Sequence, residues 1–430
     1  MNTLHPSSSA GSRPRVKRPE RNQVEWRPLA LDQLLPEDHR ARTVWQYAET
    51  LDLAPLYAKI RAVEGEPGRD AVDPRLLLAL WLLATIEGVG AARQLDRLCQ
   101  RDLAYLWMCG DVTVNYHLLA DFRTTHAEFL DQLLTHSVAA LMHQGLVTLQ
   151  RVTQDGMKVR ASAGSSSFRR RATLEKCRAE AEAHVARLRQ EQDEDAASSD
   201  RRRESARLRA AHERQERIER ALQELAKLEQ RPHKKGSREP RSSTTDPEAR
   251  RMKMADGGFR PAYNVQFATD GASRMIVAVD VTNQGNDWGL MAPMHDGIER
   301  RYGKTPTKYL VDCGFPSQGD LELLEQRGTT VYAPIHGEQA MLRRGVDPYS
   351  KRPGDNEAMV RFRQRMKTDE AKKIYRQRPS IAEYPNAECR NRGLTQFRVR
   401  GQVKAKAIAL WHALAFNLMR MITQKCVPTG

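Results

Sequence analysis

Three acidic residues carry side chains suited to chemistry: Asp155 in VTQDGMKVRAS, Asp312 in KYLVDCGF and Glu383 in YRQRPSIAEYPNAECRNR. The first two lie beside short β-branched runs, and the third lies in a basic, helix-like stretch. If the fold gathers them, they form an all-oxygen site of the kind Mg²⁺ or Mn²⁺ prefers over imidazole or thiolate. Phosphoryl transfer gains from two such ions about 4 Å apart, one activating the attacking water or hydroxyl and the other stabilising the leaving oxygen. A single Asp at a strand end is ordinarily a turn or cap residue. Three acids on elements that converge are a different matter.

The chain around them is basic. Its 430 residues carry 70 Lys+Arg against 54 Asp+Glu, a formal net charge of +16. That excess favours a polyanionic partner, because each phosphate neutralised by Lys or Arg releases a condensed counterion. A membrane surface is the rival polyanion, but no apolar run approaches the roughly 18 residues of a membrane span. The N-terminus lacks the apolar core of a signal peptide. The six cysteines are scattered without CxxC spacing, which points to reduced thiols, mostly buried, in a cytoplasmic protein.

The acids must be positioned by elements read from the pattern. Residues 1–28 make a basic tail, either disordered or an arm that tracks phosphates through Arg13, Arg15, Lys17, Arg18 and Arg21. Residues 29–146 read as an all-α domain, for DNA binding or for assembly. Its central segment, DPRLLLALWLLATIEG (73–88), opens on Asp-Pro, runs apolar and stops at Gly; being apolar nearly all round, it should be buried. Residues 91–110 read as one helix and 115–146 as two. No Arg/Asn/Gln cluster marks a recognition helix, so a pure packing role is equally open.

From 147 the pattern changes. LVTLQRVTQDGMKVR reads as a strand that ends at the Asp-Gly turn, placing Asp155 at its end. Residues 168–232 form a charged helical insertion, two antiparallel helices or a coiled-coil-like arm, with apolar stripes at Leu174, Cys177, Ala181, Val185, Leu188 and at Ile218, Leu222, Leu225, Leu228. Residues 231–250 read as a polar linker, 259–283 as a hairpin, 307–315 and 329–335 as strands flanking a helix capped by Ser317, and 336–370 as a loop. From about 370 the pattern is helical, most clearly over 403–422. Three strands in antiparallel meander, then alternating helices and parallel strands, is the order of an RNase H-like α/β domain (147–425) interrupted after its first strand. There the first and fourth strands are neighbours, so Asp155 and Asp312, closing them, can share an ion. Glu383, on a helix crossing the sheet, can complete the site.

The words around the acids resemble those of bacterial insertion-sequence DDE transposases, over about residues 30–425. DPRLLLALWLLATIEGVGAARQLDRLCQRDLAYLWMCGDVTVNYHLLADFRTTH resembles their InsH-type helical N-terminal domain. QDGMKVRASAG resembles the first-Asp motif, TDPEARRMKMADGGFRPAYNVQFATD the segment after the arm, and LVDCGFPSQGDLELLEQRGTTVYAP the second-Asp motif. In the Glu region the family's Tyr, Arg, Glu and following basic residue map onto Tyr375, Arg378, Glu383 and Arg390, with Arg where Lys is usual; Arg still binds phosphate. Glu388 is a rival third acid whose spacing from Tyr375 argues against it. Asn286 and Asp287, in TNQGNDWGLMAP, match a polar word of the family and are expected to have a positioning role at most. Trp288 beside them either stacks on a flipped base or packs on the sheet at a helix start. His117, His126 and His136 suit no metal site.

The resemblance implies a transposase that binds the terminal inverted repeats of its element, pairs the ends as a homodimer or higher oligomer, cuts with Mg²⁺- or Mn²⁺-activated water and joins the freed 3′-hydroxyl to target DNA. Asp155, Asp312 and Glu383 would hold two ions. Tyr375, Arg378, Arg390, Arg398, Arg400, Lys404 and Lys406 would contact DNA, although 398–406 reads equally as a solvated helix face. The expected setting is cytoplasmic and nucleoid-associated, with no membrane partner. Two alternatives stay open: a nuclease that cleaves without joining, and a catalytically silent or domesticated DNA-binding protein.

Overall fold

A computed structural model describes residues 30–62, 70–194, 201–230, 239–424 and 426; the basic tail lies outside them. After a 3-10 turn at Leu31–Leu34, the described residues begin with seven α-helices: α1 (Arg40–Glu49), α2 (Ala54–Tyr57), α3 (Pro74–Ile86), α4 (Ala92–Cys99), α5 (Leu103–Cys109), α6 (Tyr116–Thr125) and α7 (Ala127–His143). α3 starts as expected, with Pro74 in its first turn and the Asp73 carboxylate accepting from the Arg75 N–H. The single helix expected over 91–110 is two. Asp102 caps a fresh start at Leu103, and the Gly110 backbone, left-handed, ends it.

The mixed sheet follows. Its strands are β1 (Arg151–Arg160), β4 (Arg250–Lys253), β5 (Phe259–Asp270), β6 (Ile276–Thr282), β7 (Lys308–Leu310) and β8 (Thr330–Tyr332); a separate two-stranded ribbon pairs β2 (Phe168–Arg169) with β3 (Ser242–Ser243). β5 is central to the antiparallel part, with β1 on one side and β4 and β6 sharing the other; β7 and β8 extend the sheet in parallel beyond β1. With α10 (Met291–Tyr302) between β6 and β7, and α11 (Gln318–Gln326) between β7 and β8, this is the RNase H-like order. The insertion is the antiparallel pair α8 (Arg171–Glu194) and α9 (Arg201–Glu229), standing on the β2–β3 ribbon.

Three expectations change. β1 does not end at Asp155; it runs on to Arg160 because β5 pairs with it from Asp270 to Ala262, so Asp155 is mid-strand and the Asp-Gly is no turn. The expected linker contains β3 and the start of β4. The expected loop over 336–370 holds α12 (Glu338–Arg343) and α13 (Glu357–Lys367). Asn356 caps α13, which turns Ala358, Phe362 and Met366 inward, while its buried Arg363 is neutralised by Asp355 at 2.9 Å. That pairing hides an amphipathic helix inside a polar sequence. The chain ends with α14 (Asp369–Tyr375), α15 (Arg378–Asn391) and α16 (Gln402–Thr423).

One apolar core runs from the N-terminal helices to the sheet, with α16 in its middle, against α3, α6 and α7 on one side and β5 and β6 on the other. Trp411 on α16 donates to the Arg123 carbonyl of α6 at 3.0 Å. Asn417 accepts from the Ile276 N–H and donates to the Ile276 carbonyl, both at 2.8 Å, and so replaces a missing strand neighbour for β6. Because each buried group left unpaired costs about 1–3 kcal/mol, Asn417→Leu is expected to lower the unfolding free energy by at least about 2 kcal/mol in urea denaturation. A change within error would show that these two bonds do not hold α16 to the sheet.

Candidate functional site

β1 and β7 pair in parallel only as far as Thr153 and Leu310. Beyond that point the two chains part, and Asp155 and Asp312 each lie two residues past the last pair. The Asp155 side chain leaves the sheet on the face covered by α15. Its Oδ1 accepts from Arg378 Nη2 and its Oδ2 from Asn386 Nδ2, both at 2.8 Å. Arg378 and Asn386 lie about two turns apart on α15, near enough to one face to grip both oxygens. Burial pushes the Asp155 carboxyl above its ordinary range; Arg378 and the Gly156 N–H pull it back, and the charges of Asp287 and Asp312 push it up again. Asp312 is exposed, its Oδ1 accepting from the Cys313 N–H at 2.7 Å.

Besides Asp312, the carboxylate that Asp155 senses is Asp287, beneath the opposite face of β1. Asp287 Oδ1 accepts from Asn264 Nδ2 at 2.8 Å and from Gln266 Nε2 at 2.7 Å. Gly156 is what admits it: a Cβ there would stand 2.4 Å from both Asp287 Oδ1 and Gln266 Nε2. A buried polar ladder continues along this face. Gln154 donates to Gln266 Oε1 at 2.9 Å and to the Leu290 carbonyl at 3.1 Å, and accepts from the Tyr309 hydroxyl at 2.8 Å. These side chains hold the strand pair in register beneath the carboxylates. Their sequence signal is a polar residue at alternate positions of otherwise apolar strands, at Gln154, Asn264 and Gln266.

Glu383 is on α15, as expected, but exposed, and among the described residues no hydrogen bond or ion pair reaches it. Nor, among them, is any group of three or more His, Cys, Asp and Glu side chains placed to hold a metal ion. Asp155 and Asp312 are brought into electrostatic contact; Glu383 is not closed onto them. The rival Glu388 is engaged by Arg392 at 2.9 Å.

The candidate DNA contacts separate by environment. Arg378 is buried against Asp155. Tyr375 is half-buried at the end of α14, its hydroxyl pushed up to about 12 by burial. Lys404 and Arg400 are exposed near the start of α16, and Lys406 lies 3.7 Å from Asp280. Arg398 lies at a small cavity beside Arg123. Arg390 lines an open cleft of about 610 Å³ with Lys158, Arg160, Lys253 and Arg260, and this cleft reaches Gly156 and Asp287. Asp256 offsets Arg260 there at 2.6 Å, leaving a basic groove on the far side of β1 from Asp155. Its strand lysine and arginines were not singled out in the sequence, although Lys158 and Arg160 alternate along β1 as one face requires. Trp288, rather than packing on the sheet, is 63% exposed at the edge of this region.

A family model described as a transposase DDE domain matches residues 233–418, and a second, a transposase domain (DUF772), matches residues 29–125. Asp312 and Glu383 fall inside the first match; Asp155, ahead of the helical insertion, lies outside both. No curated protein and no solved structure matches the chain.

Two outcomes follow from this geometry. Gly156→Ala is expected to destabilise the fold by about 1–3 kcal/mol through overpacking; unchanged thermal unfolding would mean that Asp287 moves aside freely. Arg378→Met removes the guanidinium that favours ionised Asp155, so the Asp155 pKa, already raised, should rise further. A raised folded pKa gives stability at low pH that is lost as pH climbs through it. The variant should therefore lose about 3 kcal/mol at neutral pH and much less once the carboxyl is protonated. An equal loss in both ranges of urea denaturation would exclude this charge pairing.

Proposed function

From the premise that this chain belongs to the insertion-sequence DDE transposases, we propose that it binds the terminal inverted repeats of its own element, cuts there in a metal-dependent reaction and transfers the freed strand to target DNA. The observation that carries the reading is the parting of β1 and β7 at Asp155 and Asp312, where the charge of Asp312 reaches the Asp155 carboxyl. Both offer only oxygen donors, the set that suits a hard divalent cation. When bound there, such ions supply charge neutralisation at the phosphate and activation of a water.

The protein's own residues do the rest. Asp155 and Asp312 are the proposed metal-holding carboxylates, and Glu383 completes the site by closing from α15. Asn386 and Arg378 orient Asp155 and hold its charge until then. The basic cleft with Arg390, and the exposed Arg400 and Lys404, track DNA phosphates, with Arg398, Lys406 and Tyr375 beside them. The helical region 29–146 serves DNA binding or assembly, and the pairing of two ends calls for at least a homodimer. No described helix is long and apolar enough to cross a membrane.

A second reading, a silent DNA-binding regulator, is favoured by one observation. Arg378 and Asn386 already satisfy Asp155 without a metal, one hydrogen bond to each oxygen, and Glu383 stands apart.

The deciding experiment is cleavage and joining of a labelled duplex carrying the element's end, with Mg²⁺ or Mn²⁺. Wild type should give nicked and joined products, and Asp312→Asn should reduce both by about a hundredfold or more. Specific binding without any metal-dependent product from the wild type would establish the silent reading, and nicks without joining a simple nuclease. Separately, Arg390→Ala should weaken binding to all sequences alike and reduce the salt dependence by roughly one phosphate contact. An unaltered salt slope would remove the cleft from the DNA path.

A further inference from the structure

Where the N-terminal helices meet the turn after α15, three guanidiniums and an imidazole surround a cavity of about 30 Å³. Arg123 of α6 is 7% exposed; it lies over the Trp81 ring at 4.4 Å and donates through Nη1 to the Gly90 carbonyl at 2.5 Å, while its Nε has no partner among the described residues. Arg392 gives Nη2 to Glu388 and leaves Nη1 buried and without a partner among the described residues. His412 of α16, 5% exposed, has an Nδ1 that likewise finds no partner among the described residues. Arg398 and Gln396, both exposed, complete the wall. Among the described residues, no carboxylate lines the cavity.

Buried donors without acceptors, and gathered charges of one sign, are costly. The cost is visible in the groups themselves. Burial, then the charge of Arg398, lowers Arg123 to about 10. Burial, then Arg123 and Arg392, lowers His412 to about 3, so its ring is neutral. A water would satisfy donors but leave the charge. The cavity's roughly 30 Å³ exceeds the about 10–15 Å³ of free space that one water requires, so one phosphate oxygen also fits.

We propose that this cavity is an anion site that receives one oxygen of a phosphate group, with Arg398 at its mouth, supplied either as inorganic phosphate or as a phosphodiester of DNA. It is separate from the carboxylates of β1 and β7 and stands whether or not those are catalytic. Seated there, the anion ties α3, α6 and α16 to the segment that follows α15.

The test is thermal unfolding of the full chain, titrated with sodium phosphate against sodium gluconate at fixed ionic strength. Wild type should show a saturable rise. Arg398→Gln, at the exposed mouth, and Arg392→Gln should each raise the half-saturating concentration by about tenfold or more, and Arg300→Gln, exposed on α10, should titrate as wild type. The absence of a saturable rise, Arg398→Gln and Arg392→Gln both titrating as wild type, or an equal shift in Arg300→Gln would overturn the site. Repeating the titration on the complex with a short DNA duplex assigns the source. A phosphate response abolished by DNA upholds the site as a phosphodiester seat, and a response that persists upholds it as a site for the free ion.

Discussion

The architecture depends on a helix with almost no solvent face. From Ala405 to Leu418, α16 is buried nearly without interruption. A helix that is apolar all round must be covered all round. The sheet supplies one side and the N-terminal helices the other, so the two regions are cast around a single element rather than set side by side. The polar handles on α16 serve the same end. Trp411 reaches a carbonyl of α6, and Asn417 completes the hydrogen bonding of β6. Arg301 of α10 and Asp131 of α7 add a paired contact at 2.7 Å.

That fixed frame explains how the acids are placed. β5 is long enough to hold β1 past the point where β7 leaves it, so Asp155 stands on a strand anchored on one side only. Its carboxylate is then exposed to competing influences: burial and neighbouring acids disfavour its charge, while Arg378 and Asn386 favour it. Arg378 occupies the electrostatic role a cation would otherwise fill. Each Asp155 oxygen accepts one hydrogen bond from α15 and keeps a second lone pair, and α15 also carries Glu383.

Much of this was legible in the sequence because it rests on local period. The strand order, the inserted helical pair, the burial of α3 and the adjacency of Asp155 and Asp312 all follow from apolar spacing and element order. What was misread depends on distant partners. The Asp-Gly at 155–156 has a turn's composition, but nine register pairs with β5 override it, and the glycine serves the close approach of Asp287. α13 is polar in composition because its buried arginine is matched by an aspartate outside the helix. Asn386 gives no sign, within a helical stretch, that it holds a carboxylate on another element. The exposure of Glu383 and Trp288 is likewise decided by what packs nearby, not by their own neighbours in the chain.

The helical insertion leaves and re-enters the fold at almost one point. Phe168 pairs with Ser243 and Arg169 with Ser242, so more than seventy residues of chain begin and end on adjacent strands. Closing so long a segment carries an entropic cost that grows only slowly with length, and the ribbon fixes the ends wherever the far tip lies. Arg250 of β4, paired with Glu224 of α9, braces the stem. The arm is in effect an interchangeable attachment: its length can change by whole turns without disturbing the register of β1. Reach across a bound partner can therefore evolve, or be engineered, independently of the chemistry.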